Sequence, residues 1–241
     1  HVTHFFSATY SEDVKSLALR MLSDPQWINV TTSKSASSVE QQIYLVDKRR
    51  KTELLSELVG RNNWQQVLVF ASSKESAEHI HKELILDGLK SAVFHGDKTQ
   101  GARNKALEDF KSGRLRVLVA TDVAARGLDI QALPLVVNIE LPFDAQDYIH
   151  RIGRTGRAGL TGHAISFVCP SDEKMLDEIE GLIERKLPRI LVPGYEEGAP
   201  LPARYRDSSA VVPTKKRVAR RKGKPGGNKS QGGRVSPKDS Q

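Results

Sequence analysis

Ten consecutive residues, His150-Arg151-Ile152-Gly153-Arg154-Thr155-Gly156-Arg157-Ala158-Gly159, hold three arginines, and no Asp or Glu occurs between Tyr148 and Pro170. Guanidinium groups are permanently charged, planar and mutually repulsive. Clustered in this way they suit an anion whose oxygens match their forked donors, and phosphate does so best. Gly153, Gly156 and Gly159 give the backbone freedom to leave helical geometry and approach a ligand closely. A solvated basic turn would hold the same residue types, so the run gains meaning only from its neighbours.

Two other segments carry polar groups at the ends of apolar runs. Val117-Leu118-Val119-Ala120 leads directly into Thr121-Asp122-Val123-Ala124-Ala125-Arg126-Gly127-Leu128-Asp129. In an open parallel sheet, ligands bind outside the carboxyl ends of the strands, where Thr121 to Asp129 would lie. Thr121 offers a hydroxyl and an N–H to a phosphate, and Asp129 could accept from a ribose hydroxyl. Local turn bonding by Asp122 and Asp129 is an equally available reading. Likewise Ser91-Ala92-Val93-Phe94 runs into His95-Gly96-Asp97-Lys98-Thr99-Gln100-Gly101-Ala102-Arg103. Gln100 and Arg103, three apart on the first turn of a helix, can both reach a sugar-phosphate backbone crossing that N-terminus. A solvated first turn is the plain alternative, and His95 is expected to satisfy a local hydrogen bond rather than to transfer protons. Ser7-Ala8-Thr9 ends the run Val2 to Phe6 and says nothing by itself.

The elements that must position these groups alternate in type. Candidate strands are 42–46, 67–70, 91–94, 117–120, 135–138 and 164–168, most of them continuously apolar, as in parallel strands buried on both faces. Helical patterns fall at about 47–59, 72–88, 100–111, 144–152 and 171–185. In the second, Ser72 and Glu75 form a capping-box pattern and Gly88 a stop. An amphipathic helix through Val14, Leu17, Ala18, Met21 and Leu22 follows Ser11, residues 31–38 read as a Ser/Thr-rich linker, and order should fade past Pro188. The opening residues 1–6 are apolar and strand-like, as in a chain cut inside a fold.

Composition narrows the function classes. The 241 residues carry a net charge of +8, but residues 203–241 hold twelve Lys and Arg against two Asp, leaving residues 1–202 slightly acidic. A tail so poor in apolar residues is expected to be disordered and to attract a polyanion, nucleic acid first of all. Cys169 is the only cysteine, so there is no intramolecular disulfide and no Cys-based metal site, and a reducing cytoplasm fits. No apolar run approaches membrane-spanning length, no secretory signal pattern opens the chain, and no internal repeat is found.

The order Ser7-Ala8-Thr9, Leu68-Val69-Phe70, Gln100-x-x-Arg103, Ala120-Thr121-Asp122 with Arg126-Gly127-Leu128-Asp129, and His150-Arg151-x-Gly153-Arg154-x-x-Arg157 resembles the C-terminal half of a DEAD-box RNA helicase over about residues 1–185. Its flavour is similar to bacterial RhlE-type members. The resemblance implies an α/β fold, a RecA-like parallel sheet with helices on both faces, in other words a P-loop NTPase-type helicase C-terminal domain, followed by the disordered basic tail. It implies an end of a first lobe at 1–30, a linker at 31–38, the RecA-like domain at 39–187 and an extension with the tail at 188–241. It also implies that Arg154 and Arg157 are arginine fingers on the terminal phosphates of ATP, with Asp129 on the ribose and Gly127 supporting. Gln100, Arg103 and Thr121 would hold RNA; Ser7, Thr9 and His150 would couple ATP hydrolysis to strand separation; Arg151 would play a supporting part. Where the family usually shows Asp-x-Pro, this chain has Glu140-Leu141-Pro142, a longer carboxylate that should shift nearby contacts.

Neither a Walker A pattern nor an Asp-Glu-Ala-Asp box occurs, so the phosphate loop and the Mg²⁺ ligands are expected in a first RecA-like lobe that is the natural partner, and the chain alone should not turn over ATP. No metal ligand set is expected in this chain and no membrane partner. Two other classes compete: a non-enzymatic RNA-binding or annealing module working through the tail, and the motor half of a DNA helicase or remodeller, which a missing preference for the 2′-hydroxyl would reveal.

Overall fold

The computed structural model describes residues 3–7, 12–28, 39–126, 130, 132–156 and 161–201. The chain divides into two units, residues 1–200 and 201–241, and the described residues other than Leu201 belong to the first. The strands are β1 (Val39–Leu45), β2 (Val67–Ala71), β3 (Ser91–Phe94), β4 (Val117–Thr121), β5 (Leu135–Asn138), β6 (Gly162–Val168) and β7 (Arg189–Leu191). They form one sheet in the order β3-β4-β2-β5-β6-β1-β7, with every neighbouring pair parallel. The helices are α1 (Glu12–Met21), α2 (Lys51–Arg61), α3 (Lys74–Leu86), α4 (Gln100–Lys111), α5 (Asp122–Ala125), α6 (Ala145–Ile152) and α7 (Glu173–Leu182).

The continuous apolar runs are explained by where the strands lie. All five residues of β2 are buried, because alternate side chains serve opposite faces. Val67, Val69 and Ala71 pack with Leu54 and Leu58 of α2 and Ala77 and Leu84 of α3. Leu68 and Phe70 pack on the other face with Phe110 of α4 and Ala124 of α5. Toward β1 and β6 the second face is completed by Tyr148 and Ile152 of α6 and Leu176 and Ile179 of α7. Helices thus cover both faces, as a RecA-like α/β domain requires, and each fully buried Val, Leu or Phe contributes about 1.5–3 kcal/mol.

Three expectations are corrected. Order does not fade at Pro188: Arg189–Leu191 pair with Ile43–Leu45 of β1, and Tyr195 and Ala199 beyond them are buried. Polar anchors hold this segment, which a search for apolar periodicity passes over. The Glu180 carboxylate accepts from the Leu187 N–H at 2.7 Å and binds the Arg189 guanidinium, while the Tyr195 hydroxyl donates to Glu57 at 2.5 Å and its ring lies 4.2 Å beneath Arg50. Second, α3 is capped by Ser73, whose hydroxyl accepts from Ser76 N, and not by Ser72. Third, residues 3–7 form no strand and Phe6 is 90% exposed; among the described residues no strand pairs with this segment, and an extended segment outside a ladder gains no sheet hydrogen bonds. Residues 31–38 and the basic tail from 202 lie outside the described residues.

Candidate functional site

The parallel sheet brings the carboxyl ends of β2, β4 and β5 together on adjacent strands, and each leads into a polar residue: Ser72, Asp122 and, after Ile139, Glu140. The group that ties them together is Arg151. Its side chain is only 1% exposed. It reaches this position because Tyr148, Arg151 and Ile152 share the buried face of α6 at three- and four-residue spacing. Its Nε and Nη2 donate to the two oxygens of Asp122 at 2.6 and 2.7 Å, and its Nη1 donates to the Glu140 carbonyl at 2.6 Å and the Asn138 amide oxygen at 3.2 Å. The guanidinium carbon sits 5.0 Å from the centre of the Phe70 ring. A bidentate pair with this degree of burial fixes both partners' geometry.

That clamp sets the neighbours. Thr121, next to Asp122, closes β4, and its hydroxyl makes no capping bond to α5. Three residues beyond Arg151, Arg154 lies half-buried in the turn that follows α6, with its carbonyl accepting from Leu133 N at 3.1 Å. The turn is pressed against the start of β6: a Cβ on Gly162 would overlap the backbone of Gly156 and the Thr155 hydroxyl. His150 Nδ1 lies 3.4 Å from Asp147 Oδ1, which also receives Arg126 at 2.7 Å. Burial pushes the Asp147 carboxyl up, but the Arg126 guanidinium and His150 together more than reverse this and hold the group below its ordinary range.

Glu140 shows what the longer carboxylate does. It holds the segment that leads into α3, accepting from Ser72 N and Ser72 Oγ, both at 2.6 Å, and from Ser76 Oγ at 2.8 Å. Desolvation raises this carboxyl, and the Ser72 and Ser76 donors with the nearby Lys51 charge more than reverse that, leaving it lowered.

Gln100 and Arg103 lie on the first turn of α4, which Thr99 caps. Arg103 packs 4.8 Å from the Phe94 ring, Gln100 donates to Asn104 at 2.7 Å, and Arg103 Nε is a buried donor with no partner. An unsatisfied buried donor on a guanidinium is costly, and an anionic oxygen reaching it would remove that cost. His95, 4% exposed, places Nε2 3.0 Å from Glu78, which also binds Lys98 at 2.6 Å. This is the local hydrogen bond expected of it. Lys98 first and His95 second hold the Glu78 carboxyl low.

The structure therefore brings Thr121 and Arg154 onto one clamp and sets Gln100 and Arg103 beside β3, which neighbours β4. Ser7 is exposed and belongs to a separate stretch of the chain. Thr9, Gly127, Asp129 and Arg157 lie outside the described residues. Sequence reasoning gave Arg151 only a supporting part; its helical phase with Tyr148 and Ile152 was the available signal. Among the described residues no group of three or more His, Cys, Asp or Glu is arranged to hold a metal ion, and no helix is long and apolar enough to cross a membrane.

Residues 50–159 match the helicase conserved C-terminal domain family. The chain is 45% identical over 186 residues to the ATP-dependent RNA helicase RhlB of Pseudomonas syringae pv. tomato, covering 77% of this chain and 47% of that protein. It is 41% identical over 198 residues to the DEAD-box ATP-dependent RNA helicase CshA of Bacillus subtilis, covering 82% and 40%. It spans about half the length of these curated relatives. Among solved structures it superposes on E. coli DEAD-box protein SrmB bound to regulator of ribonuclease activity A with a TM-score of 0.63 and 34% identity, covering 68% of this chain and 98% of that one. With S. cerevisiae Dbp5 bound to RNA and ADP BeF3 the TM-score is 0.70 at 31% identity, over 77% of this chain and 50% of that one.

Proposed function

The chain belongs to the DEAD-box protein family, whose helicase C-terminal domain it carries, and from that premise we propose that it is the second lobe of an enzyme that hydrolyses ATP to separate RNA strands. One observation carries the reading: Arg151 and Asp122 lock the segment bearing Thr121 to the turn after α6 that bears Arg154. RNA contacts and phosphate contacts then belong to one rigid body, as a motor that converts hydrolysis into strand separation needs. Dbp5, similar in fold at 31% identity, is described with RNA and ADP BeF3 bound, which supports both ligand classes.

In this reading Gln100, Arg103 and Thr121 hold the RNA backbone without reading its sequence. Arg154 and Arg157 stabilise charge on the transferring phosphoryl group, Asp129 with Gly127 meets the ribose, and Ser7, Thr9 and His150 link the lobes. ATP is the substrate. Mg²⁺ and the phosphate loop are assigned to the first lobe, because the sequence holds neither a Walker A pattern nor an Asp-Glu-Ala-Asp box. The chain by itself is therefore inactive as an ATPase.

The test is an RNA-stimulated ATPase assay with and without a DEAD-box first lobe added in trans. Turnover should need both pieces, and Arg154→Ala should lower it by about 10³–10⁵ with RNA affinity kept, as arginine fingers do. Turnover by the chain alone, or a loss under about tenfold, defeats the assignment.

A further inference from the structure

At the opposite edge of the sheet from Gln100, Arg103 and Thr121 lies a cleft of about 470 Å³ at the carboxyl ends of β1 and β6 and beside β7. Five interstrand steps separate β4 from β7 in the sheet order, roughly 24 Å at about 4.8 Å each. Of the residues lining the cleft, none falls within 50–159, the stretch shared with the wider helicase family. Its floor is apolar, made by Leu45, Val46, Val168 and Leu176, and Leu191 of β7, 70% exposed, stands at its side.

The rim is acidic. Glu173, Asp177, Glu196 and Glu197 line it; Asp177 accepts from Lys186 at 3.1 Å, and the one cation among the described lining residues, Arg189, has its guanidinium committed to Glu180.

The rim is also held in place. After β7 the chain turns at Gly194, where φ is +83°, and the residues on either side of the two glutamates are anchored to the domain. Tyr195 is clasped by Glu57 and Arg50, its carbonyl accepts from Asp47 N at 2.7 Å, and Gly198 N donates to Asp47 at 3.1 Å. Glu196 and Glu197 are thus presented over the cleft by a tethered turn, so a ligand need not order them.

β7 is also the last strand of the sheet and pairs only with β1 among the described residues. An unpaired strand edge accepts an extended peptide through main-chain hydrogen bonds, with alternate side chains entering neighbouring pockets. Here alternate apolar side chains would fill the cleft past Leu191 while the intervening basic ones meet the carboxylates. We propose that this cleft is a docking site for an extended lysine- and arginine-rich peptide segment with interleaved apolar residues, supplied by a partner protein. Lying at the far edge of the sheet, such a partner leaves Gln100, Arg103 and Thr121 open, and the proposal stands independently of the ATP and RNA roles.

The experiment uses the full 241-residue chain and three fluorescent twelve-residue peptides, alternating Leu-Lys, Ser-Lys and Leu-Glu, with binding read by anisotropy at about 150 mM salt. Leu-Lys should bind at least about tenfold tighter than either of the others, because it alone supplies both the apolar anchors and the charge. Glu196→Lys with Glu197→Lys, and separately Leu191→Ser, should each weaken Leu-Lys binding by about tenfold or more and leave RNA affinity within about twofold. All three positions are exposed, so folding should be kept, with circular dichroism as the check. Glu12→Lys with Asp13→Lys on α1 changes net charge equally and should have no effect. Equal binding of Leu-Lys and Ser-Lys, or equal losses in the α1 control, would reduce the effect to bulk electrostatics and overturn the proposal. Sedimentation showing self-association that Glu196→Lys/Glu197→Lys abolishes would overturn it in favour of a second copy of the chain.

Discussion

Arg151 is where a single substitution should tell most. Changing it to Met keeps the apolar stem of the side chain but leaves Asp122 without its bidentate donor and strips Asn138 Oδ1 and the Glu140 carbonyl of theirs. The reverse change, Asp122→Ala, leaves a guanidinium that is 1% exposed with no counter-charge. Removing one partner of a buried pair costs about 3–5 kcal/mol, and each single variant should lose that much. For a domain of this size the loss corresponds to a drop in Tm of roughly 6–20 °C. The double variant removes both charges together and leaves only neutral acceptors unsatisfied. It should be no more than about 1–2 kcal/mol worse than the poorer single, giving a coupling energy of at least about 1 kcal/mol. Urea unfolding of the four proteins followed by circular dichroism measures the cycle. Single losses under about 1 kcal/mol, or additivity within about 0.5 kcal/mol, would show that the clamp does not hold the two segments together.

Gly162→Ala should destabilise by about 1–3 kcal/mol, since the added Cβ would meet backbone, the Gly156 Cα at 2.6 Å included, which cannot rotate away; a cost below about 0.5 kcal/mol in the same urea assay contradicts this close approach. Glu180 loses solvation on burial, but Arg189, the Leu187 N–H and Lys186 lower its pKa from 4.5 to about 2. Its contribution, on the order of 3 kcal/mol, is present above pH 4.5 and lost as pH falls through about 2. The stability gap between the parent and Glu180→Gln should accordingly close over that range, and a gap independent of pH refutes it. Truncation after Pro202 removes twelve Lys and Arg and two Asp, and it should weaken RNA binding and flatten its dependence on salt while leaving Tm nearly unchanged. Equal salt slopes with and without the tail would count against a polyanion-binding role for it.

The sequence by itself determined the alternation of elements and the order of the polar segments at their ends. Val67–Phe70 and Val117–Ala120 read as doubly buried parallel strands because both faces of such a strand need apolar side chains, a demand written locally in the chain. The same locality makes Gln100 and Arg103 a legible pair, since both sit on one helical turn. Tertiary structure decided what each charged group does. Three arginines within seven residues look alike as letters; the phase of α6 turns Arg151 inward, onto an aspartate 29 positions away. Ser72 looks like a helix cap in sequence, yet it serves Glu140, 68 residues on, and Ser73 takes the cap. Beyond Pro188 the chain lacks apolar periodicity, and only the ion pair to Glu180 and the seat of Tyr195 on α2 add the seventh strand and raise the acidic rim. Apolar burial depends on a repeating pattern, so it shows in one dimension. A buried charge depends on its one distant partner, and which partner that is becomes fixed only when the sheet brings strand ends together.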